Sequence, residues 1–356
     1  MSPPDPDAFA ALLCDWCLEV EPGHQILIAT STLGVEPALA MHRAVLERDA
    51  WPLLRLAPPE LTEDFYRHAT ERHLDGFAPL ELLEVQTVDS VLRIQAPGNT
   101  RALAGIEPEL VARAALARSP VQEARLGKRW CGTLWPTPAL AQQAAMGERE
   151  YASFVERALF LDRADPLGAW RELSRRQAEL VDRLSQAREI RIEADGTDLR
   201  LDVAGRTWIN SDGRRNMPSG EVFTGPHEHS ANGHIHFTIP SSPHGVEVSG
   251  IELEFRDGEV VSARAAHGNA YLQAALATDS GARYLGELGI GTNSGIDRAT
   301  GAILFDEKMA GTIHLALGRS YPETGGVNAS ALHWDMICNL RSGGSISADG
   351  EPLPVQ

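Results

Sequence analysis

The sequence has few of the features that mark secreted, membrane-spanning or disulfide-rich proteins. Its four cysteines, Cys14, Cys17, Cys131 and Cys338, are too few and too scattered for a disulfide framework and suit a reducing compartment. No apolar run approaches the roughly 20 residues needed to span a bilayer, and the N-terminus lacks the basic start and apolar core of a signal peptide. We therefore expect a cytoplasmic protein with no membrane partner.

Positive charge is also scarce. The chain has 32 lysines and arginines against 49 aspartates and glutamates, which gives a formal net charge of -17. The acidic residues are spread through the whole length, so the chain would repel a polyanion. We expect no nucleic-acid partner.

The motifs of several enzyme classes are absent from the sequence. It has neither the Gly-x-Ser-x-Gly elbow of a serine hydrolase nor a His-Glu-x-x-His helix. The glycines of residues 289–295 resemble a phosphate-binding loop, but their spacing is off by one and no strand-loop-helix unit surrounds them. These observations argue against nucleotide binding and against both hydrolase classes.

Two further motifs suggest metal sites but have simpler interpretations. Cys14 and Cys17 have the spacing of half a zinc site, yet they lie in an apolar stretch of helical period with no second pair. We interpret them as part of a helix core. A histidine group with two His-x-His pairs follows later, and we interpret it as polar surface or cleft lining rather than a metal shell. Its members are His227, His229, His234 and His236.

The length of 356 residues, 43% of them apolar, exceeds what one core usually organises, and we predict two domains divided between residues 186 and 187. In the first, short apolar strands at residues 25–30, 52–56 and 90–94 alternate with helices, one of them at residues 36–48. This alternation is typical of a parallel sheet flanked by helices. A helix that starts at Asp165-Pro166 connects to the second domain. The fold class is thus a two-domain combination of α/β and α+β structure.

After about residue 187 the apolar period shifts to two. Strands on either side of Asp195-Gly196 and of Asp257-Gly258 read as hairpins, because Asp-Gly favours the tight turns that join antiparallel strands. The second domain, residues 187–356, is therefore predicted to be mainly antiparallel β, with its chemistry on the loops.

The residues that carry that chemistry are concentrated near the C-terminus. Glu307, His314, Tyr321, His333 and Asp335 fall within 29 residues, and Glu221 and Glu287 precede them. Carboxylates and imidazoles are the ligands of a pair of hydrolytic divalent metals, and a phenol can donate a hydrogen bond to an oxyanion.

These residues lie in segments that resemble, in order and context, the thermophilic-type metalloaminopeptidases, the family of aminopeptidase T and aminopeptidase S. The resemblance is strong across residues 187–350 and looser through Arg129-Trp-Cys-Gly-Thr and the helix after Asp165. It is carried by Asn216-Met-Pro-Ser-Gly-Glu221-Val-Phe-Thr, Tyr284-Leu-Gly-Glu287-Leu-Gly-Ile-Gly, Leu304-Phe-Asp-Glu307-Lys, Gly311-Thr-Ile-His314-Leu-Ala-Leu-Gly, Tyr321 and Asn328-Ala-Ser-Ala-Leu-His333-Trp-Asp335.

The resemblance implies two divalent metal ions, zinc, cobalt or manganese, in the C-terminal domain. It implies Glu287 as their bridge, Tyr321 as the active-site tyrosine, and catalytic roles for Glu287, Tyr321 and Glu221. The implied metal ligands are Glu221, Glu287, Glu307, His314, His333 and Asp335.

The function implied is that of a metal-dependent aminopeptidase, which hydrolyses N-terminal residues from peptides with a hydroxide activated by two metals. One metal would polarise the scissile carbonyl and the other would take up the free α-amine of the peptide substrate. Tyr321 would stabilise charge that develops only in the transition state. The resemblance also implies a homodimer.

Two alternatives stay open from the sequence. Iron-dependent, ring-cleaving dioxygenases of the dihydroxypyridine type resemble the same family, but they look like versions with histidine at the Glu287 position and an apolar residue at the Glu221 position. A non-catalytic metal-binding interaction protein would require lost ligands, and none is missing here.

Overall fold

The computed structural model describes residues 4–354. The chain forms two compact units. One runs up to Ala169 and includes Gly213–Pro218, and the other comprises Trp170–Asp212 and the chain from Ser219 onward.

The strands alternate with helices in the first unit and follow one another closely in the second. In chain order they are β1 (Gln25–Ser31), β2 (Trp51–Ala57), β3 (Ser90–Gln95), β4 (Arg129–Leu134), β5 (Glu189–Ala194), β6 (Thr197–Asp202), β7 (Ile209–Ser211), β8 (Asn216–Met217), β9 (Glu221–Thr224), β10 (Asn232–Phe237), β11 (Ser249–Arg256), β12 (Glu259–His267), β13 (Leu285–Gly291), β14 (Thr312–Gly318), β15 (His333–Asn339), β16 (Ser345–Ala348) and β17 (Glu351–Pro352).

Most of the helices precede residue 185. They are α1 (Pro6–Leu12), α2 (Val35–Leu46), α3 (Leu61–His68), α4 (Glu71–Leu74), α5 (Pro79–Thr87), α6 (Pro108–Ala117), α7 (Ser119–Leu126), α8 (Pro138–Gln143), α9 (Glu148–Ala158), α10 (Pro166–Leu184), α11 (Asn269–Leu276) and α12 (Ile303–Asp306). Within residues 4–354, none of these helices combines the length and apolar character needed to cross a membrane.

The first unit contains a parallel sheet in the order β2-β1-β3-β4-β8. β1 and β3 are buried along most of their length, as expected of strands covered on both faces. The predicted strands and the predicted helix between the first two are confirmed, because β1, β2, β3 and α2 cover them with small shifts at their ends.

The cysteine pair lies inside the first unit. α1 continues into a π-helical turn, Leu13–Leu18, where both Cys14 and Cys17 are buried and neither forms a disulfide. Burial raises the pKa of Cys14 to about 12, so this thiol stays protonated at neutral pH. The interpretation of the pair as helix core is confirmed.

Helix α10 leads into the second unit. Asp165 caps its start by accepting a hydrogen bond from the Gly168 amide at 2.8 Å, as the sequence predicts. Later along the helix, Leu180, Val181 and Leu184 pack into the core of the second unit. The predicted domain boundary between residues 186 and 187 stays a prediction.

The second unit contains two antiparallel sheets, β12-β11-β10-β6-β5-β16-β17 and β15-β14-β13-β9-β7. Apolar side chains from both sheets form one core. The two predicted hairpins are confirmed, since β5 pairs with β6 and β11 with β12. At the second turn Asp257 and Gly258 both have positive φ, 50° and 85°, which is the backbone of the tight hairpin turn that Asp-Gly favours.

Candidate metal centre

One face of the sheet β15-β14-β13-β9-β7 carries acidic and imidazole side chains. Glu221 begins β9 and Glu287 lies in β13, while His314 lies in β14 and both His333 and Asp335 lie in β15. The alternate residues of these strands belong to the core, so the strand period of two places the polar residues together on the opposite face.

The prediction that the chemistry lies on loops is wrong for these five residues. β13 and β14 are buried along their entire length, so their sequence shows no clean alternation of apolar and polar residues. Both strands also contain glycine, which is more typical of turns than of strands. The strand period of two is therefore not visible in the sequence of β13 and β14, the strands that carry Glu287 and His314.

Glu307 reaches the same cluster from outside the sheet, at the C-terminal end of the short helix α12. The preceding Asp306 is buried and fixes the approach of this segment. Its carboxylate accepts hydrogen bonds from the Thr300 amide at 2.7 Å, the Thr300 hydroxyl at 2.8 Å and the Gly301 amide at 2.8 Å. Burial raises the pKa of Asp306 to about 6 despite these donors.

All six residues predicted as ligands meet in one cluster. Within each of two overlapping groups, potential ligand atoms lie within 4.8 Å of one another; the groups are Glu287, His333 and Asp335, and Glu307, His314 and Asp335. Glu287 faces both histidines, because its Oε1 is 3.3 Å from His314 Nε2 and its Oε2 is 3.5 Å from His333 Nε2. Glu221 Oε2 adjoins them, 3.7 Å from His314 Nε2.

Both histidines are oriented by the backbone. Nδ1 of His314 lies 3.0 Å from the carbonyl oxygen of Glu307, and Nδ1 of His333 lies 2.9 Å from that of Arg319. A carbonyl can only accept, so each Nδ1 donates, and each ring directs its Nε2 toward the carboxylates. This is the arrangement by which proteins fix the tautomer of a metal-binding histidine.

A glycine makes room for His314. A Cβ atom built on Gly289, which pairs with His314 across β13 and β14, would lie 2.0 Å from Cε1 and 2.2 Å from Nε2 of that ring. No side chain fits at such distances. The glycines of residues 289–295 that resemble a phosphate-binding loop thus include one that the histidine requires.

The electrostatics of the cluster indicate a shortage of positive charge. Burial raises the pKa of Glu221 above its ordinary value, and burial together with the nearby Glu307 raises that of Asp335 to about 7. For His314, burial alone would lower the pKa, but the carboxylates, Glu287 first, raise it to about 10. Glu221, Asp335 and His314 therefore keep their protons to a higher pH than the same groups would at the protein surface.

The donor set fits divalent metal ions. Four carboxylates and two oriented imidazoles are ligands that zinc, cobalt and manganese accept. Glu221 Oε2 is buried and has no hydrogen-bond partner, which is costly for a carboxylate oxygen unless a cation binds it. The residues present thus fit the metal pair that the sequence predicts.

Tyr321 stands at the edge of the cluster. Its ring meets the ring of His333 edge to face at a centroid distance of 5.2 Å and that of Phe223 at 5.7 Å. Burial of the hydroxyl, followed by the negative charge of Glu287, raises the pKa of Tyr321 above its ordinary value. The phenol therefore keeps its proton at neutral pH and remains a hydrogen-bond donor.

A family model described as thermophilic metalloprotease (M29) matches residues 5–355. The chain belongs to this family. Aminopeptidase 2 of Geobacillus stearothermophilus is 32% identical to it over 83% of this chain and 82% of that protein. Aminopeptidase PepS of Streptococcus thermophilus is 26% identical over 98% of this chain and 96% of that protein. The resemblance inferred from the sequence is confirmed.

Two solved structures share the fold of this M29 protein. Wild-type AmpT from Thermus thermophilus aligns with a TM-score of 0.85 at 24% identity, covering 99% of this chain and 97% of that one. A 2,5-dihydroxypyridine dioxygenase from Pseudomonas putida KT2440 aligns with a TM-score of 0.59 at 16% identity, covering 98% and 95%. The mixed fold of parallel and antiparallel sheets is thereby confirmed, and the fold alone does not separate the two chemistries.

The four histidines of the two His-x-His pairs lie apart from the cluster. The His227 ring is hydrogen-bonded to the Ala204 carbonyl at 2.9 Å, and the His229 ring packs edge-on against Tyr284. His234 and His236 lie on β10, with Ile235 between them in the core. In the part of the chain that the structure describes, the groups of converging ligand atoms include none of these four histidines.

Sequence reasoning missed a cation and an ion pair. Lys308 is fully buried beside Glu221 and Glu307. A lysine that follows a glutamate in the sequence is usually expected at the protein surface. Arg206, which is buried, and Glu228, which is mostly buried, form an ion pair in the same unit, with Nη2 2.7 Å from Oε2. Glu228 also accepts the Val327 amide at 2.7 Å, and Arg206 donates to the Gly325 carbonyl, so the pair anchors the segment that follows Tyr321.

Proposed function

We propose that this centre binds two divalent metal ions that share Glu287. The observation that carries the proposal is the position of Glu287, whose two oxygens each face a different histidine Nε2, at 3.3 Å and 3.5 Å. Of the remaining ligands, Glu221 and Glu307 would serve the ion at His314, and Asp335, which converges with both histidines, would serve the ion at His333 or both ions.

The reaction class follows from the family. The protein is a metalloaminopeptidase, a hydrolase of peptides, like the named relatives. When bound, two divalent ions supply an activated water nucleophile at neutral pH and polarise the peptide carbonyl. Zinc, cobalt and manganese are the candidates, because the donors are carboxylates and imidazoles with no thiolate among them.

The residues of the chain then perform the remaining tasks. A metal position beside these residues would accept the neutral α-amine of a peptide, which favours a free N-terminus over an internal peptide bond. Tyr321 is placed beside His333 and keeps its proton, so we assign it the role of donor to the oxygen that becomes negative in the transition state.

A cavity of about 310 Å³ adjoins His333 and Asp335. This volume lies at the lower end of the range for small-molecule sites, about 300 to 1,000 Å³. Its apolar walls include Ile239, Pro240, Ile303 and Ile337. We propose that it receives the apolar side chain of a substrate residue held at the metals.

The test compares a short peptide bearing an apolar N-terminal residue with its N-acetylated form. We expect hydrolysis of the free peptide only, loss of activity with a chelator, and recovery on adding zinc, cobalt or manganese. Elemental analysis should give two metals per chain. Full activity of metal-free protein would refute the proposal, and one iron per chain without hydrolysis would indicate dioxygenase chemistry instead.

We further propose that the protein is cytoplasmic and homodimeric and has no nucleic-acid or membrane partner. The net charge of -17 argues against a nucleic-acid partner, and four cysteines without a disulfide suit a reducing compartment. The homodimer rests on the family resemblance. Light scattering coupled to size-exclusion chromatography tests the dimer, and a monomeric mass at micromolar concentration would contradict it.

A further inference from the structure

Lysine is rare in this chain. Of its 32 basic residues only two are lysines, Lys128 and Lys308, and the rest are arginines. Lys128 is half-buried and donates to the Gln86 carbonyl at 2.8 Å, whereas the side chain of Lys308 is 0% exposed. Because nearly all basic residues of the chain are arginines, a fully buried lysine differs from its ordinary surface charges.

Lys308 joins two of the proposed metal ligands. Its Nζ lies 3.2 Å from Glu221 Oε1 and pairs with Glu307 Oε1. Glu221 Oε2, the oxygen that Lys308 does not touch, is the one without a hydrogen-bond partner and faces His314 Nε2 at 3.7 Å. The ammonium therefore occupies one oxygen of Glu221 and leaves the other directed into the cluster.

We infer that Lys308 is a positioning residue of the metal centre, which holds Glu221 and Glu307 so that each presents a single oxygen to a metal. The inference rests on the proposed metal site. The groups that orient metal ligands affect metal affinity although they do not touch the metal.

The backbone around Lys308 fixes the origin of its side chain. Its carbonyl accepts the Asn293 amide at 2.9 Å, and its amide donates to the Phe305 carbonyl at 3.0 Å. Gly291 permits this approach, because a Cβ built there would lie 2.9 Å from the carbonyl carbon of Lys308. The lysine thus starts from a fixed point and has little freedom to move away from the two glutamates.

Charge counting gives Lys308 a second role in the same site. Two divalent ions would neutralise the carboxylates of Glu221, Glu287, Glu307 and Asp335. The ammonium then leaves one positive charge in excess, which matches the single negative charge of a hydrolytic nucleophile. An uncharged residue at this position would leave the loaded site without that excess.

The test measures the zinc affinity of the full-length protein by competition with a chromogenic chelator, for wild type and for Lys308→Met. Removing a positive charge near a cation site would by electrostatics alone tighten metal binding. Loss of positioning predicts the opposite, a weakening of about 10-fold to 100-fold for at least one metal. Unchanged or tighter zinc binding by Lys308→Met would overturn the inference.

Two further variants complete the design. Lys308→Gln keeps hydrogen-bond donors without charge, and we expect it to recover part of the affinity lost in Lys308→Met; it also carries the test if the methionine variant does not fold. Lys128→Met, which removes the other lysine of the chain, should bind zinc as wild type does. Weakened binding in Lys128→Met would show that the loss of affinity is not specific to Lys308 and would contradict the inference.

A spectroscopic readout separates positioning from a purely structural role. The absorption spectrum of the cobalt-loaded protein reports the ligands around the metal, so Lys308→Met should change it while Lys128→Met should not. If wild type binds no metal, the proposed function fails as a whole. If wild type binds two metals and Lys308→Met has the same affinity and spectrum, only the inference about Lys308 fails.

Discussion

Gly289→Ala should disable the metal centre by displacing a histidine. The added methyl group would lie 2.0 Å from Cε1 and 2.2 Å from Nε2 of His314. Ordinary carbon contacts begin near 3.5 Å, so the ring or the strand must move by more than about 1 Å. The ring is fully buried and its Nδ1 is bonded to the Glu307 carbonyl at 3.0 Å, which leaves it little room to yield.

The expected magnitudes follow from that displacement. Overpacking of a buried site costs about 1 to 3 kcal/mol of folding free energy. A catalytic group misplaced by about 1 Å can lower kcat by about 10²-fold. We therefore expect Gly289→Ala to remain folded with a lowered Tm, to hold fewer than two metals per chain, and to lose at least about 100-fold in kcat.

The assay combines circular dichroism, elemental analysis and steady-state kinetics on the same preparation. Gly147→Ala is the matched control, because a Cβ built on Gly147 meets nothing within 4 Å and its φ is -68°. We expect the control to behave as wild type. A Gly289→Ala protein that retains two metals and wild-type kcat would refute the argument that this glycine makes room for His314.

Three other outcomes test the remaining parts of the site. Glu287→Gln should reduce bound metal below two per chain and lower activity with it, since it removes the charge that both ions would share; two retained metals with normal kinetics would contradict the bridge. Tyr321→Phe should keep both metals and KM but lower kcat by about 10² to 10³-fold, and a near-normal kcat would remove the phenol from the mechanism. Glu228→Gln removes the charge from the largely buried pair with Arg206 and should cost about 1.5 to 3 kcal/mol in urea unfolding at pH 7. Burial alone would raise the pKa of Glu228, but the Val327 amide and Arg206 lower it below its ordinary value. Its contribution is therefore present above the unfolded pKa, about 4.3, and lost as pH falls through the lower folded pKa. A stability difference between wild type and Glu228→Gln that did not shrink in acid would contradict this assignment.

The sequence predicts those parts of the fold that depend on local signals. The hairpin at Asp257-Gly258 follows from two residues that tolerate positive φ, and the buried strands of the parallel sheet follow from short apolar runs. The proposed ligands are also recognisable, because carboxylates and imidazoles recur in a familiar order. None of these predictions requires knowledge of contacts between distant residues.

What the sequence does not reveal depends on tertiary contacts. Lys308 is adjacent to Glu307 in sequence, but its burial against Glu221 depends on how β9 and α12 pack. The feature of the sequence that sets Lys308 apart is the scarcity of lysine in the chain. The ion pair of Arg206 and Glu228 joins residues 22 positions apart, and no periodic pattern links them.

The placement of Glu287 depends on an irregularity in β13. Leu285 pairs with Leu317 and Glu287 with Ala316, so Gly286 is an extra residue opposite β14. In a regular strand Leu285 and Glu287 would share a face, and the carboxylate would point into the core. The bulge reverses the alternation and turns Glu287 toward the histidines, while Leu285 stays in the core.

The residue at the bulge is glycine for a steric reason. A Cβ built on Gly286 would lie 2.4 Å from the carbonyl oxygens of both Gly318 and Arg319. The carbonyl of Arg319 is the group that orients His333, at 2.9 Å from its Nδ1. A side chain at residue 286 would therefore disturb the bulge that presents Glu287 and the backbone that holds His333. Glu287 and His333, two of the residues at the second proposed metal position, therefore both depend on a glycine at residue 286.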